Sequence, residues 1–260
     1  MRLNKDFTNV TEQPGQKATK EQLQIMITRY NLAANYCENK DVLDVACGSG
    51  IGLDYISQKA KMVVGGDIDL KLVEIAKNNY IDNSKVTVLH LDALNLPFET
   101  NSFDVVLLYE AIYYLPNVEQ FLREAKRVLR KNGKLIISTV NCQWHGFNPS
   151  PFSTKYWSAQ EMSNLLQSYN YTPSVLIGFL DKPDGSNSLV SAIRRIAVKL
   201  KLIPNTMEGK ERLKRLFYGS LQPIPAKIYE NMAVIEPLKP YDSSIDLTFY
   251  KQLYIMGQLN

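Results

Sequence analysis

Cysteine is scarce in this chain of 260 residues. The three present, Cys37, Cys47 and Cys142, are odd in number, far apart and without a C-x-x-C pair. That spacing argues against a disulfide framework or a zinc site and fits a reducing compartment. No apolar run approaches the roughly 18 residues of a membrane span. The opening Met1-Arg2-Leu3-Asn4-Lys5-Asp6 leads into no apolar stretch of the kind that makes a secretory signal. The expectation is therefore a cytoplasmic protein without a membrane span. What is present is ordinary for a globular chain, with 45% hydrophobic and 22% charged residues. The length allows one large domain, or a domain of about 150 residues with an addition.

The chain is organised around Val42-Leu43-Asp44-Val45-Ala46-Cys47-Gly48-Ser49-Gly50-Ile51-Gly52-Leu53. An apolar strand breaks here into a glycine-rich turn and restarts as a helix. Glycine is needed where the backbone takes positive φ or lets a ligand come close. The amides that open the helix then face whatever binds there. Asp44 can tie the turn amides or a ligand cation. A dinucleotide fingerprint, G-x-G-x-x-G, fails at Leu53.

Further along, Met62–Gly66 reads as a second buried strand ending in Asp67-Ile68-Asp69. Asp67 lies about 20 residues past the turn, where an acid can accept hydrogen bonds from both ribose hydroxyls of an adenosine ligand. Asp69 is placed to cap the next helix. Val86–Leu89 makes a third strand, followed by His90-Leu91-Asp92-Ala93-Leu94-Asn95-Leu96-Pro97-Phe98. Ser102–Leu108 makes a fourth, with Tyr109-Glu110-Ala111-Ile112-Tyr113-Tyr114-Leu115 just past its end. A helix from the N-cap Asn117 to Arg130 and a fifth strand, Lys134–Thr139, complete the alternation. An amphipathic helix from about Thr19 to Cys37 precedes it, and Arg29-Tyr30 is where that helix can touch a ligand.

From about Asp41 to Val140 these landmarks resemble the class I S-adenosylmethionine (SAM) methyltransferases. Asp44, Gly48 and Gly50 match the motif D-x-G-x-G-x-G, with Ala46 at its first glycine. That departure is mild if Ala46 keeps a negative φ. Asp92-Ala93 and Leu96-Pro97-Phe98 match D-A-x-x-L-P-F. The resemblance implies a doubly wound α/β fold, a mostly parallel seven-stranded sheet with an antiparallel last strand, with SAM as cofactor and S-adenosylhomocysteine as product. It implies that Tyr30, Asp44, Ala46, Cys47, Gly48, Gly50, Asp67, Ile68, Asp92, Ala93 and Tyr109 bind the cofactor. In the family the aspartate of D-A takes the adenine amino group, and the segment after the fourth strand holds the methionine end. His90 is expected to be structural.

The acceptor side departs from the common pattern. Asn141–Phe152 is a loop rich in aromatics and turn formers, and loops in that position carry function. Ser158-Ala159-Gln160-Glu161 makes a capping box for a helix to about Tyr169. Val175–Phe179 is a sixth strand, and Leu253–Met256 suits the last. The expected division is an N-terminal helical segment over the site at 1–40, the SAM-binding domain at 41–180 and 245–260, and an inserted helical cap at 181–244. Leu189, Ile193, Ile196, Leu200 and Ile203 give that cap a helical spacing, and Leu213, Leu216 and Phe217 suggest a second helix. The cap is alternatively a homodimer interface or a packed appendage. Between Leu180 and Lys227 ten Lys/Arg face four acids, which suits an anionic small-molecule acceptor such as a sugar nucleotide or natural-product intermediate.

Methyl transfer to a hydroxyl benefits from a base. The expected catalytic residues are His145, Glu110 and Tyr114, with Tyr113, Asn141, Trp144 and Tyr156 on the acceptor. No metal cluster is visible. Nucleic acid is disfavoured, because Tyr109-Glu110-Ala111-Ile112 stands where amino-group nucleic-acid methyltransferases carry (N/D)-P-P-(Y/F), and Asn141 rather than proline precedes Cys142. An RNA or protein methyltransferase docking through the basic cap, a non-catalytic SAM-fold partner and a nicotinamide enzyme stay open.

Overall fold

Asp41–Val45 (β2) is buried on both faces, and the sheet is assembled outwards from it. The computed structural model describes residues 6–181 and 220–260. Met62–Asp67 (β3) and Val86–His90 (β4) lie parallel on one side of β2, and Phe103–Tyr109 (β5) and Leu129–Val140 (β6) lie parallel on the other. Tyr250–Leu259 (β10) runs antiparallel between β6 and Tyr171–Leu180 (β7). These seven strands make the mostly parallel sheet with an antiparallel last strand that the motifs imply. An eighth, Lys239–Pro240 (β9), adds two residues to the edge at Leu176 and Ile177.

Side chains alternate across each strand, so the two faces feed two apolar clusters. Val42, Val105, Leu107 and Ile136 pack with Lys20–Ala34 (α1), Leu53–Ser57 (α2) and Leu70–Asn79 (α3). Leu43, Val45, Val106, Leu108 and Ile137 pack with Val118–Val128 (α4) and Ala159–Ser168 (α5). Asp44, between Val42 and Leu43 on one side and Val45 on the other, falls on the α1 face. The helix starts are capped as their sequences suggest: Thr19 and Ser158 form capping boxes with Gln22 and Glu161, and Asn117 and Asp69 accept first-turn amides.

Part of the expected cap lies in the described residues. Gln222–Pro223 (β8) pairs with Lys17–Ala18 (β1), and the Ile228 amide donates to Ile51 O at 2.8 Å. This stretch therefore clamps the N-terminal segment against the helix that follows the glycine turn. The helical spacings at 189–203 and 213–217 lie outside the described residues. Among the described residues no helix is long and apolar enough to cross a membrane.

Phe121, wholly buried in α4, is the test of the second cluster. Phe121→Ala is expected to cost about 3–5 kcal/mol of unfolding free energy in a denaturant titration.

Candidate functional site

The order of the sheet reverses at β2, with β3 and β4 to one side and β5 and β6 to the other. The carboxyl ends of β2 and β5 therefore meet at the crevice where open α/β sheets bind ligands. The turn leaving β2 puts Ala46, Gly48 and Gly50 at φ values of 61°, 58° and 75°. The expectation of a negative φ at Ala46 is thus overturned. Alanine occupies the left-handed region, which costs an L-residue roughly 1–2 kcal/mol. The turn is held by its neighbours: the Cys47 amide donates to Gly66 O (2.9 Å) and the Gly48 amide to Asp67 Oδ2 (2.9 Å). At Gly48 a Cβ would lie 2.7 Å from the Thr11 methyl, so glycine is required there twice over.

Asp67 accepts from the Asp69 amide through its other oxygen, Oδ1, at 2.9 Å. Burial raises its pKa, against the pull of these amides. Ile68 beside it is 44% exposed. Asp92 accepts the Leu94 amide at 2.9 Å, and Ala93 is buried behind it. His90 Nε2 lies 3.1 Å from Ile68 O.

Beneath the turn lies a group of buried charges. Asp44 is inaccessible; Tyr30 donates to its Oδ2 at 3.4 Å, and Oδ1 has no partner. Burial pushes this carboxyl up to about 7, and Arg29 only partly opposes the shift. Arg29 is 4% exposed and hydrogen-bonds through Nη2 to the Glu12 carboxylate, while Nε and Nη1 have no partner. Burial works against its charge, but Glu12, Tyr30 and Glu110 outweigh that and hold the guanidinium above its ordinary range. Tyr109 donates to Arg29 O at 2.9 Å and meets the Tyr30 ring edge-on, with centroids 5.2 Å apart.

Glu110, just beyond β5, also has a left-handed backbone, with φ 51°. Its Oε1 accepts from Ser138 Oγ at 3.1 Å and its Oε2 from Tyr113 OH at 3.3 Å. The Gln252 amide, oriented to satisfy its surroundings, donates to Glu110 Oε1 (3.1 Å) and Thr139 O (3.0 Å). Burial raises the Glu110 pKa despite Arg29 nearby.

The acceptor-side loop folds back on the segment after β5. Tyr156 stacks on Tyr113 at 4.6 Å, Tyr113 meets Tyr114 edge-on at 4.6 Å, and Phe147 meets Tyr156 at 4.6 Å. Tyr114 OH and Ser150 Oγ are 2.5 Å apart. Asn141 is buried, and its amide group meets Leu247 O, Tyr250 O and the Gln143 amide, so it braces the loop. Trp144 Nε1 donates to Asp181 Oδ2 at 2.9 Å. His145 places Nδ1 3.1 Å from Thr248 O and Nε2 3.4 Å from Asp181 Oδ2.

Glu12, Ser138 and Gln252 are absent from the residues the motifs single out. Glu12 sits in a polar stretch with no periodicity, and Gln252 in an apolar strand, so neither carries a local signal.

Residues 43–137 match the methyltransferase domain family. A Mycobacterium tuberculosis protein named as an S-adenosylmethionine-dependent methyltransferase is 32% identical over 160 residues, 59% of this chain and 57% of its own length. A ubiquinone biosynthesis O-methyltransferase from Haemophilus ducreyi is 32% identical over 114 residues, 42% of this chain and 48% of its own. The chain thus spans about half the length of these relatives. A SAM-dependent methyltransferase structure from Thermotoga maritima shares the fold, with a TM-score of 0.58 and 17% identity over 93% of this chain and 92% of that one.

If Ala46 is strained, Ala46→Gly should raise the unfolding free energy by about 1 kcal/mol, measured by denaturant titration. A loss of stability would contradict the strain.

Proposed function

We propose that this chain is a class I S-adenosylmethionine-dependent methyltransferase that moves the methyl group of SAM to an oxygen or nitrogen of a small-molecule acceptor. The observation that carries the reading is the unbalanced group of charges below the glycine turn, in which one Asp44 oxygen and two Arg29 nitrogens have no partner. Asp44, Glu110 and Glu12 are electrostatically coupled to Arg29, which leaves three carboxylates against one guanidinium. A dinucleotide would bring the negative charge of its pyrophosphate to this place. SAM brings an ammonium and a sulfonium with one carboxylate, a net positive charge. Its ends match the unpartnered atoms: the free Asp44 oxygen suits a cation, and the free Arg29 nitrogens suit a carboxylate.

In this reading Asp67 takes the ribose hydroxyls, exchanging its bond with the Gly48 amide for them. Asp92 and Ala93 meet the adenine, with Ile68 against its face. Ala46, Cys47, Gly48 and Gly50 supply backbone to the cofactor, and Tyr30 and Tyr109 wall its methionine end. When bound, SAM supplies an already electrophilic methyl group, so the protein's part is alignment and exclusion of water.

We place the base role on Glu110 rather than His145. Glu110 lies at the β5 end beside Tyr113, and its raised pKa suits proton uptake from a hydroxyl. Both ring nitrogens of His145 already face oxygen atoms. Tyr113, Tyr114 and Tyr156 make an aromatic wall for the acceptor, with Trp144 farther out. That wall favours a ring-bearing metabolite, in keeping with the relative named for ubiquinone biosynthesis. The anionic acceptor expected from the charge between Leu180 and Lys227 rests mostly on residues outside those described. A homodimer interface and a packed appendage are the alternatives for the cap.

Titration calorimetry tests the reading. SAM and S-adenosylhomocysteine should bind and NAD should not; binding of NAD alone would reverse the assignment. Asp67→Ala should weaken SAM binding by roughly tenfold or more, since a buried acceptor for two hydroxyls is lost. SAM binding should also release protons. A nearby cation favours ionised Asp44, so its pKa falls from about 7 on binding and affinity rises as pH climbs through that value. Heats measured in buffers of different ionisation enthalpy read the proton count directly.

A further inference from the structure

The N-terminal segment 6–16 crosses the site as a strap, and its contacts are specific. The Phe7 amide donates to Asp69 Oδ2 at 3.0 Å, next to Asp67. The Thr11 methyl lies against Gly48 of the turn. Ser49 Oγ donates to Glu12 O at 2.9 Å, and the Glu12 side chain binds Arg29 Nη2. The Gly15 amide donates to Ile224 O at 2.9 Å, and the Ile224 amide to Gln16 O at 2.8 Å, which anchors the far end. At the near end the Phe7 ring meets Tyr114 at 5.4 Å and Phe152 at 6.2 Å. One short segment therefore touches the glycine turn, the guanidinium and the acceptor-side aromatics.

We propose that Glu12 is a positioning residue. It pins Arg29 through Nη2 so that Nε and Nη1 stay aimed at the carboxylate of the cofactor, and the strap is held closed while that carboxylate is bound. The inference rests on the SAM reading above. An arginine in a buried site with two empty donors is costly unless something fixes it and something else fills them. Glu12 does the first, and its backbone tie to Ser49 joins the fixing to the turn that holds the ligand. Phe7 then extends the same strap to Tyr114, so closure over the cofactor also shapes the acceptor wall. Release of product requires the strap to lift.

The test compares two probes on the full chain, S-adenosylhomocysteine and 5′-methylthioadenosine. The second keeps the adenosine and sulfur but lacks the amino-acid end. Glu12→Gln is expected to weaken S-adenosylhomocysteine binding roughly tenfold and to leave 5′-methylthioadenosine unchanged, because only the first presents a carboxylate to Arg29. Hydrogen exchange should show amides of 7–16 protected by S-adenosylhomocysteine in the wild type and less so in Glu12→Gln. Phe7→Ala, which leaves the Glu12 contact intact, should reduce protection at the near end while keeping affinity within about twofold. Equal weakening of both probes by Glu12→Gln would make Glu12 a merely structural residue and overturn the proposal while leaving the SAM reading intact. Wild-type protein that binds neither probe would overturn both.

Discussion

A buried guanidinium facing more carboxylate than it can neutralise is the constraint on which this site depends. Arg29 comes from the helix before the sheet, Asp44 from the central strand, Glu110 from the end of its neighbour and Glu12 from the N-terminal strap. Four separate parts of the chain must therefore be in place before the whole group is assembled. Such a set is expensive to build for stability alone, since burial penalises Arg29, Asp44 and Glu110 and the pairing is incomplete. It becomes reasonable when a net-positive ligand completes it. Burial raises the pKa of both Asp44 and Glu110, and Arg29 offsets only part of that shift.

Backbone strain lies at the same place. Ala46 and Glu110, at the ends of β2 and β5, both take positive φ without being glycine. Each conformation is held by hydrogen bonds across strands: Cys47 to Gly66 beside the first, and the Glu110 amide to Ser138 O (2.9 Å) at the second. The sheet, whose two faces are fully packed, supplies the rigidity that fixes these turns. Strained residues that cluster at a ligand crevice suit a site formed before its ligand arrives.

Much of the fold was legible in the chain because buried parallel strands are apolar on both faces, as Val105–Leu108 is and as Val42–Val45 is apart from Asp44. Caps at Asp69, Asn117 and Ser158 could be read from residue type alone. Strand ends were less legible. β7 and β10 extend well past their apolar centres because they pair with each other and carry the ladder through polar residues such as Thr172 and Gln258. The edge strand at Lys239–Pro240 had no signal, since proline there is compatible with an edge but does not announce one. Within the site, glycines and aspartates at motif spacing were visible. Ala46 misled, because its side chain gives no hint that the turn forces it left-handed. Glu12 was invisible: a lone acid in a polar stretch acquires meaning only when the fold brings it to Arg29, 17 residues away.

The central claim is that the chain transfers a methyl group to a small molecule. The most direct measurement incubates purified protein with methyl-labelled SAM and a cell extract separated by size. The account predicts label in the small-molecule fraction, dependent on Glu110. Label confined to RNA or protein would contradict the acceptor class, and a protein that binds SAM yet labels no fraction of extracts from several sources would contradict transfer itself.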